Sequence, residues 1–383
     1  MRRVMIAVAA GLLALGGAGS AAAEPLKVVA ENPPMPATYH RFVVHSDRIG
    51  RDFAITVNLP SATVFLPGQK LPAIYALDSG YSLAGPQGSL LSNTSAMEPA
   101  IVVSVGYPAG QNFRNTDLLH NKLTQNGSTI GGGGAAFEAF LLEDLKPFIE
   151  AKYPADPNRS VLFGHSFGGL FAANVFADKP DAFYGYIIGS ASAWADPALV
   201  AAVARAAPKA RHVRVYLTVG EMEDAIAPTG PRRMVNGFNA LAAALKGQAG
   251  VTLKTQLYAG ETHLSYYPRL VTDGFPFVLP PTRPLNFHDQ ALQAEAVKRY
   301  VGVYALPDGR TLTVRLPEGP PDGPQMLQAQ VTGIAPVPLL QNGKDRFYNP
   351  TSDIDATFDG AGLTMVALGA KMRIEKVKPA PAP

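Results

Sequence analysis

The sequence predicts an α/β domain with a mostly parallel central sheet, followed by a small all-β antiparallel domain. Between about residues 40 and 275, apolar runs of strand length alternate with amphipathic helical stretches, which is typical of a sheet covered by helices on both faces. After residue 300 the apolar runs shorten and are separated by turn sequences such as Pro307-Asp308-Gly309. Such spacing is typical of antiparallel hairpins.

The candidate strands of the α/β domain are apolar runs, several of them nearly continuous, as expected of parallel strands buried on both faces. In chain order they are residues 71–77, 100–107, 160–164, 184–188, 212–220 and 251–259. The earlier stretch 41–60 alternates in polarity and predicts an antiparallel strand pair at the leading edge of the sheet. Helical spacing predicts a covering helix from Phe137, Phe140, Leu141, Leu145, Phe148 and Ile149.

A proline-rich segment from Phe275 to Pro284 separates the two patterns and is not expected to carry a central strand or a long helix. Beyond it the candidate strands are residues 301–304, 311–316, 326–331, 354–358 and 363–368, with turns at Asn342-Gly343 and Asp359-Gly360. The predicted division is an α/β domain over 24–280, a linker over 281–295, the β domain over 296–378 and a disordered tail over 379–383.

The N-terminus has the pattern of a signal peptide over residues 1–23. Met1-Arg2-Arg3 precedes an apolar stretch that runs from residue 4 to 15, and Ala21-Ala22-Ala23 is a cleavage site. The apolar stretch is shorter than the ~20 residues that a membrane span needs. We therefore expect an exported protein, periplasmic or secreted, with no stable membrane insertion after cleavage near Glu24.

The composition excludes several kinds of partner. The chain has no cysteine, so it forms neither disulfides nor thiolate metal sites. The formal net charge is +3, and two of the positive charges are Arg2 and Arg3 of the predicted signal peptide. A nearly neutral mature chain gives no reason to expect binding to nucleic acid or to an anionic membrane.

The most informative motif is Gly164-His165-Ser166-Phe167-Gly168, which fits the G-x-S-x-G nucleophile elbow. It follows the apolar run 161–163 and precedes the helix-like stretch 170–173. A serine on a tight strand-to-helix turn has its hydroxyl exposed at the edge of the sheet, beside a helix N-terminus that stabilises negative charge. Ser166 is therefore the candidate nucleophile.

A nucleophile on such a turn is followed in the chain by an acid and then by a histidine. Of the histidines after Ser166, His212 opens a predicted strand and His288 lies beyond the proline-rich segment. His263 follows the strand 251–259 on a loop that could return to the serine, so it is the candidate general base. 

The candidate acid follows the strand that ends at Gly220. Three carboxylates lie there, and of Glu221, Glu223 and Asp224 we favour Glu223 as the group that orients the imidazole. Glu221 and Asp224 remain alternatives.

Oxyanion donors are expected from two backbone N–H groups, one after the nucleophile and one after the third strand. The first is that of Phe167, and the second is that of Gly80 or Tyr81. The run of four glycines at 131–134 lacks a following Lys-Ser/Thr, so no phosphate-binding loop is predicted. The chemistry requires no metal and no organic cofactor.

Ordered motifs run along the α/β domain: Leu77-Asp78, Val105-Gly106-Tyr107-Pro108, Arg114 with Asp117, the elbow, Ser190-Ala191-Ser192-Ala193-Trp194, Val219-Gly220-Glu221-Met222-Glu223 and Glu261-Thr262-His263. From about residue 75 to 277 the chain resembles the putative-esterase branch of the α/β-hydrolases. Within that branch it resembles the siderophore esterases that open ferric enterobactin, salmochelin or bacillibactin.

The resemblance implies roles for two residues outside the triad. Arg114 would bind an anionic ferric catecholate, and Trp194 would belong to an aromatic wall near the substrate. The family often has a proline and a paired tryptophan where this chain has the segment 190–195, so the wall is thinner here. The β domain resembles the lipocalin-like domains of some secreted serine hydrolases and penicillin-recognising proteins, and we interpret it as a packing module.

These observations favour an exported serine esterase that acts on a small-molecule ester through an acyl-enzyme. A siderophore trilactone is the first substrate hypothesis, and a feruloyl or acetyl-sugar ester is the second. An acyltransferase on the same fold would form the same acyl-enzyme. A non-catalytic binding protein on a hydrolase scaffold is a third class, and the complete order of serine, acid and histidine argues against it.

Overall fold

A computed structural model describes residues 26–32, 38–60, 69–78, 83–94, 96–125, 127–225, 230–281, 297–317, 327–341, 345–349, 354–367 and 370–377. The first part contains a nine-stranded sheet in the order β1-β2-β3-β5-β4-β8-β9-β10-β11. The six strands from β5 to β11 in that order run parallel, whereas β1, β2 and β3 are antiparallel and lie at one edge. The predicted edge pair is therefore present.

The strands of this part are β1 (Lys27–Asn32), β2 (Tyr39–Ser46), β3 (Arg51–Asn58), β4 (Leu71–Ala76), β5 (Ile101–Gly106), β6 (Lys122–Gln125), β7 (Ser128–Gly131), β8 (Ala155–His165), β9 (Gly185–Gly189), β10 (Val213–Gly220) and β11 (Val251–Tyr258). All residues of β4, β5 and β9 are buried. Continuous burial explains why these strands read as unbroken apolar runs. The strands β6 and β7 form a separate hairpin.

The helices are α1 (Ala84–Asn93), α2 (Arg114–Asp117), α3 (Gly134–Ala139), α4 (Lys146–Lys152), α5 (Phe167–Asp178), α6 (Leu199–Ala206), α7 (Met234–Leu245) and α8 (Tyr267–Val278). A π-helical turn, Phe140–Leu145, joins α3 to α4. Short 3₁₀ turns lie at Pro180–Ala182, Ala193–Ala195, Ala207–Lys209, Glu221–Asp224, Gly230–Arg232 and Lys298–Tyr300. Separate apolar clusters on the sheet include residues of α5 in one and residues of α8 in the other.

The C-terminal part is a closed eight-stranded antiparallel barrel. Its strands are β12 (Gly302–Ala305), β13 (Thr311–Arg315), β14 (Leu327–Val331), β15 (Val337–Gln341), β16 (Arg346–Asn349), β17 (Ile354–Phe358), β18 (Gly362–Ala367) and β19 (Ala370–Lys376). The barrel closes where β12 pairs with β19. Buried side chains from Tyr300, Phe347 and Phe358, among others, form its core. The predicted fold class, α/β followed by an antiparallel β unit, is confirmed.

The proline-rich segment from Phe275, which was expected to carry neither a central strand nor a long helix, begins with the last turn of α8. Helix α8 continues through Pro276 to Val278, and Phe275 and Val278 are fully buried. A proline inside a helix costs about 3 kcal/mol, whereas burying each of these side chains contributes about 1.5–3 kcal/mol. Packing therefore outweighs the proline in the last turn.

Several predictions lie outside the described residues. These are the signal peptide, most of the linker, the tail, the turn Asn342-Gly343, the two alternative oxyanion donors Gly80 and Tyr81, and His288. Within the described ranges, no helix has both the length and the apolar character to cross a membrane. Three barrel strands, β15, β16 and β19, were absent from the sequence prediction.

Candidate active site

Ser166 occupies the turn between β8 and α5, and its backbone is in an uncommon conformation with φ 62° and ψ −119°. The turn is tight because its flanking residues are glycine. A Cβ on Gly164 would lie 2.1 Å from the carbonyl oxygen of Gly168, and one on Gly169 would lie 2.5 Å from the carbonyl oxygen of Gly189. The first glycine of the motif and the glycine that follows the motif are thus steric requirements of the turn.

Backbone hydrogen bonds hold this strained residue in place. The N–H of Ser166 donates to the carbonyl of Gly189 at 2.9 Å, and the carbonyl of Ser166 accepts from Leu170 at 2.9 Å and from Ser192 at 3.2 Å. A non-glycine residue at positive φ persists only where its surroundings determine it. The elbow is therefore fixed by β9 and by the segment that follows β9.

His263 and Glu223 are brought together by two loops at the same edge of the sheet. His263 Nδ1 lies 2.6 Å from Glu223 Oε2, and the Glu223 side chain is fully buried whereas that of His263 is 23% exposed. The loops approach closely because Gly220 ends β10, where a Cβ would lie 2.6 Å from the carbonyl oxygen of Glu261. An Nδ1–H donated to the carboxylate leaves Nε2 available as a base.

The two alternative acids lie elsewhere in the same turn. Glu221 Oε2 accepts the N–H of Gly260 at 2.8 Å. Asp224 Oδ1 accepts the N–H of Val235 in the first turn of α7 at 3.0 Å, where a carboxylate stabilises a helix N-terminus. Both side chains accept hydrogen bonds from the backbone of neighbouring segments. Of the three carboxylates, Glu223 is the one that contacts His263.

Glu223 also has two partners beyond the histidine. Its Oε1 accepts the N–H of Gly220 at 2.8 Å and the hydroxyl of Ser190 at 2.5 Å. The Ser190 Oγ in turn lies 2.5 Å from the hydroxyl of Tyr266. Burial raises the pKa of Tyr266, as does the charge of Glu223, so this hydroxyl stays protonated and donates to Ser190. A chain of two hydroxyls thus ends on the buried carboxylate.

The His165 side chain packs against His263 and lies next to Ser166 in the chain. Its ring centroid lies 4.6 Å from that of His263, and His165 directly precedes Ser166. Burial lowers the pKa of His165 well below its usual range, and the charges of His263 and Arg114 act in the same direction. His165 is therefore neutral beside His263.

Phe167, whose backbone N–H is one of the predicted oxyanion donors, lies among the described residues. It is the first residue of α5, where backbone N–H groups have no partner within the helix. Gly80 and Tyr81 follow Asp78, the last described residue of that loop.

Arg114 lies at the site but is already paired. Its Nε and Nη2 donate to the two carboxylate oxygens of Asp78 at 2.7 and 3.1 Å, and Nη2 also donates to the carbonyl of His165 at 3.4 Å. The guanidinium carbon is 5.3 Å from the centroid of the Phe167 ring. Arg114 thus links the loop after β4 to the strand end that carries the nucleophile.

Trp194 lies next to the elbow in the 3₁₀ turn after β9. Its ring centroid is 6.1 Å from that of Phe167, and the guanidinium carbon of Arg232 is 4.8 Å from the Trp194 ring. The aromatic residue suggested by the sequence is therefore close to Ser166, and it has a cation over its face.

Ser190, Tyr266 and Arg232 were missed in the sequence as site residues. Ser190 was noted within a family motif, but its role depends on a contact with Glu223, 33 residues later. Tyr266 follows His263 by three positions, which is a local signal that a loop histidine and its neighbours share one site. Among the described residues, no three His, Asp or Glu side chains cluster as metal ligands.

The chain matches the family model described as Putative esterase over residues 46–268. It is 31% identical over 275 residues to the ferri-bacillibactin esterase BesA of Bacillus subtilis strain 168, which covers 65% of this chain and 92% of that protein. The solved structure of the BES protein from Bacillus cereus is 26% identical, with a TM-score of 0.57 over 66% of this chain and 99% of that one. The siderophore hydrolase EstA from Aspergillus nidulans, 23% identical with a TM-score of 0.56 over 65% and 97%, shares the fold.

Proposed function

The chain belongs to the putative-esterase family, whose named relatives hydrolyse esters, and from that premise we propose that it is an exported serine esterase that opens siderophore esters. The carrying observation is the 2.6 Å contact between His263 Nδ1 and buried Glu223, formed beside the strained turn of Ser166. The name of the Bacillus subtilis relative supports the substrate class.

Acylation begins with attack of Ser166 Oγ on the ester carbonyl carbon. His263 Nε2 takes the hydroxyl proton, and Glu223 stabilises the imidazolium through Nδ1–H. The negative charge on the former carbonyl oxygen is stabilised by the N–H of Phe167 and by a second N–H, assigned to Gly80 or Tyr81. When the intermediate collapses, the C–O bond to the alcohol breaks and His263 returns its proton to the alkoxide.

Deacylation repeats these steps with water. His263 removes a proton from water, the hydroxide attacks the acyl carbon, and the carboxylic acid leaves as Ser166 regains its proton. One such cycle opens a trilactone ring, and three cycles hydrolyse all three of its ester bonds.

The test is mass spectrometry of the products after incubation of the mature protein with a ferric catecholate trilactone and, in parallel, a simple aryl ester. We expect the wild type to open the trilactone and Ser166→Ala to lose this activity. Ser128→Ala, which changes an exposed serine of β7, is expected to retain it. Cleavage of the aryl ester alone would discard the siderophore substrate and favour another carboxylic ester. Acyl transfer to an added alcohol, with little hydrolysis, would favour an acyltransferase.

Export and domain boundaries belong to the same proposal. We assign residues 1–23 to the signal peptide, 24–280 to the esterase domain, 281–295 to the linker and 296–378 to the barrel domain. N-terminal sequencing of the protein recovered outside the cytoplasm is expected to begin at Glu24, and recovery of full-length chain in the cytoplasm would contradict export.

A further inference from the structure

Two aromatic rings beside the nucleophile each have a guanidinium over one face. Phe167, the residue after Ser166, has Arg114 at 5.3 Å, and Trp194 has Arg232 at 4.8 Å. The two rings are 6.1 Å apart. A surface of aromatic rings with stacked cations attracts flat anionic groups, because the rings offer stacking area and the cations offer charge.

The two cations differ in how much of their charge is already neutralised. Both oxygens of Asp78 are bound by Arg114, so that pair carries no net charge. Arg232 has no ion pair with any carboxylate that the structure describes, and the undescribed residues just before it, 226–229, include no Asp or Glu. Of the two guanidinium groups, that of Arg232 is therefore the one with no carboxylate partner among the described residues.

Arg232 lies in a segment that leads into α7, and α7 packs near Trp194. It ends a 3₁₀ turn, Gly230–Arg232, and the next residue, Arg233, has a positive φ of 48° that turns the chain into α7. Asp224 caps the first turn of α7. A Cβ on Gly237 of α7 would lie 3.0 Å from Ala193 Cβ, so this helix packs directly against the turn that carries Trp194.

Trp194 contributes a polar group as well as a ring. Its Nε1 is buried and has no hydrogen-bond acceptor within the described part of the chain. A buried donor without an acceptor is unfavourable. Charge and stacking area thus meet at one place beside Ser166.

We infer that Arg232, stacked on Trp194, is the specificity-determining cation, which selects esters whose acid component carries an aromatic ring and a negative charge. This rests on the proposed esterase function and narrows its substrate. Arg114 is a positioning residue that acts through Asp78 and the carbonyl of His165. Arg232 is thus the residue that selects anionic substrates, a role that the family resemblance implied for Arg114.

The kinetic test compares two esters of one alcohol, a neutral benzoate and its 3-sulfobenzoate counterpart, by the ratio of their kcat/KM values. Arg232→Gln is expected to lower the ratio of sulfonated to neutral ester on the order of tenfold, because only the sulfonated ester loses an ionic attraction. Arg232→Lys keeps the charge without the planar stacking and is expected to lower it less. Arg114→Gln is expected to slow both esters alike.

The control is Arg205→Gln, an exposed residue of α6, which removes the same charge elsewhere. An unchanged ratio in Arg232→Gln, or an equal fall in Arg205→Gln, would overturn the inference. High salt is expected to reduce the wild-type preference, because salt screens the attraction between the sulfonate and the half-buried guanidinium of Arg232.

A binding measurement separates this inference from the catalytic proposal. Trp194 is the chain's single tryptophan, so its fluorescence, excited at a wavelength that tyrosine does not absorb, reports on this site alone. Methyl 3-sulfobenzoate is expected to change that emission with saturation in Ser166→Ala and to bind on the order of tenfold more weakly in Ser166→Ala with Arg232→Gln. Equal titrations would reject the role of Arg232 even if neither ester were hydrolysed, and absence of hydrolysis would reject the esterase proposal alone.

Discussion

The buried carboxylate of Glu223 is stabilised by hydrogen bonds from individual neighbouring residues. Taking a charge out of water is costly unless it is paired and hydrogen-bonded. Glu223 is fully buried, and it accepts hydrogen bonds from the N–H of Gly220, the hydroxyl of Ser190 and the ring of His263. These donors hold the carboxylate in the orientation that fixes the His263 ring.

Glu223→Gln is expected to lower kcat for an aryl ester by roughly 10³–10⁴-fold, because the amide preserves shape but neither orients the imidazole correctly nor stabilises the imidazolium. Steady-state kinetics measures this. Glu221→Gln and Asp224→Asn are the matched comparisons, and each is expected to stay within about threefold, since each contacts a backbone N–H rather than His263. A larger loss in either of them would reassign the acid.

Ser190→Ala is expected to lower kcat by roughly 10- to 100-fold with little change in KM, since a hydrogen bond to a charged group is worth about 1.5–3 kcal/mol. Tyr266→Phe removes the next hydroxyl in the chain and is expected to cost less, roughly fivefold. Steady-state kinetics and thermal unfolding are measured together. A loss of thermal stability with unchanged kcat would show that the two hydroxyls serve packing and not the orientation of Glu223.

The contacts around Glu223 also show the limit of the sequence at this scale. The triad candidates follow from motif, order and loop position, all of which are local. The contact between Ser190 and Tyr266 joins residues 76 positions apart, so the position of either residue in the sequence does not indicate its partner. Such partners are defined by the convergence of three strand ends, which a single sequence does not specify.

At the scale of elements, α2 is tied to the sheet by a buried acid. Asp117 Oδ1 lies 2.9 Å from Arg51 Nη2 of β3, and Oδ2 accepts the hydroxyl of Tyr107 at 3.0 Å. Burial raises the pKa of Asp117 to about 6, although Arg51 opposes the shift. The folded protein therefore binds this proton more tightly than the unfolded chain does.

The sign of the resulting pH dependence follows from linkage. With a folded pKa above the unfolded value of 3.8, the contribution of Asp117 to stability is complete below about pH 4 and is lost as the pH rises to about 6. The unfolding free energy of the wild type, minus that of Asp117→Asn, is expected to fall by about 3 kcal/mol across that window. Urea unfolding of both proteins at several pH values measures this, and a difference independent of pH would contradict it.

Elements were predicted well where one physical signal dominated. All six candidate strands of the α/β domain are present. Burial on both faces leaves an unbroken apolar run in β4, β5 and β9, whereas β11 is an edge strand with a single buried residue. The helix through Pro276 was not predicted, because proline signals a break and the compensating burial of Phe275 is a tertiary effect. Strand β15 was also missed, since it contains Pro338, which argues against a strand in sequence alone.

At the scale of the whole molecule, the chain joins a family esterase fold to a barrel with its own apolar core. The barrel is a complete ring of hydrogen-bonded strands, closed by Tyr304 opposite Lys376 and Ala305 opposite Glu375. Closure leaves no unpaired strand edge, and the interior is packed with aromatic and aliphatic side chains. These are the properties of a unit that folds on its own.

The division at residues 281–295 can therefore be tested by expressing the two parts separately. Residues 24–280 alone are expected to hydrolyse an aryl ester with kcat/KM within about threefold of the mature protein, because every proposed catalytic residue lies among them. Residues 296–378 alone are expected to unfold cooperatively on heating, followed by circular dichroism, because the closed barrel and its core are contained in that range. Tyr304→Ala within this fragment removes a fully buried ring, which costs about 3–5 kcal/mol, and is expected to abolish the transition. If the first fragment were folded but inactive, the barrel would have to contribute to catalysis, and its interpretation as a packing module would fail.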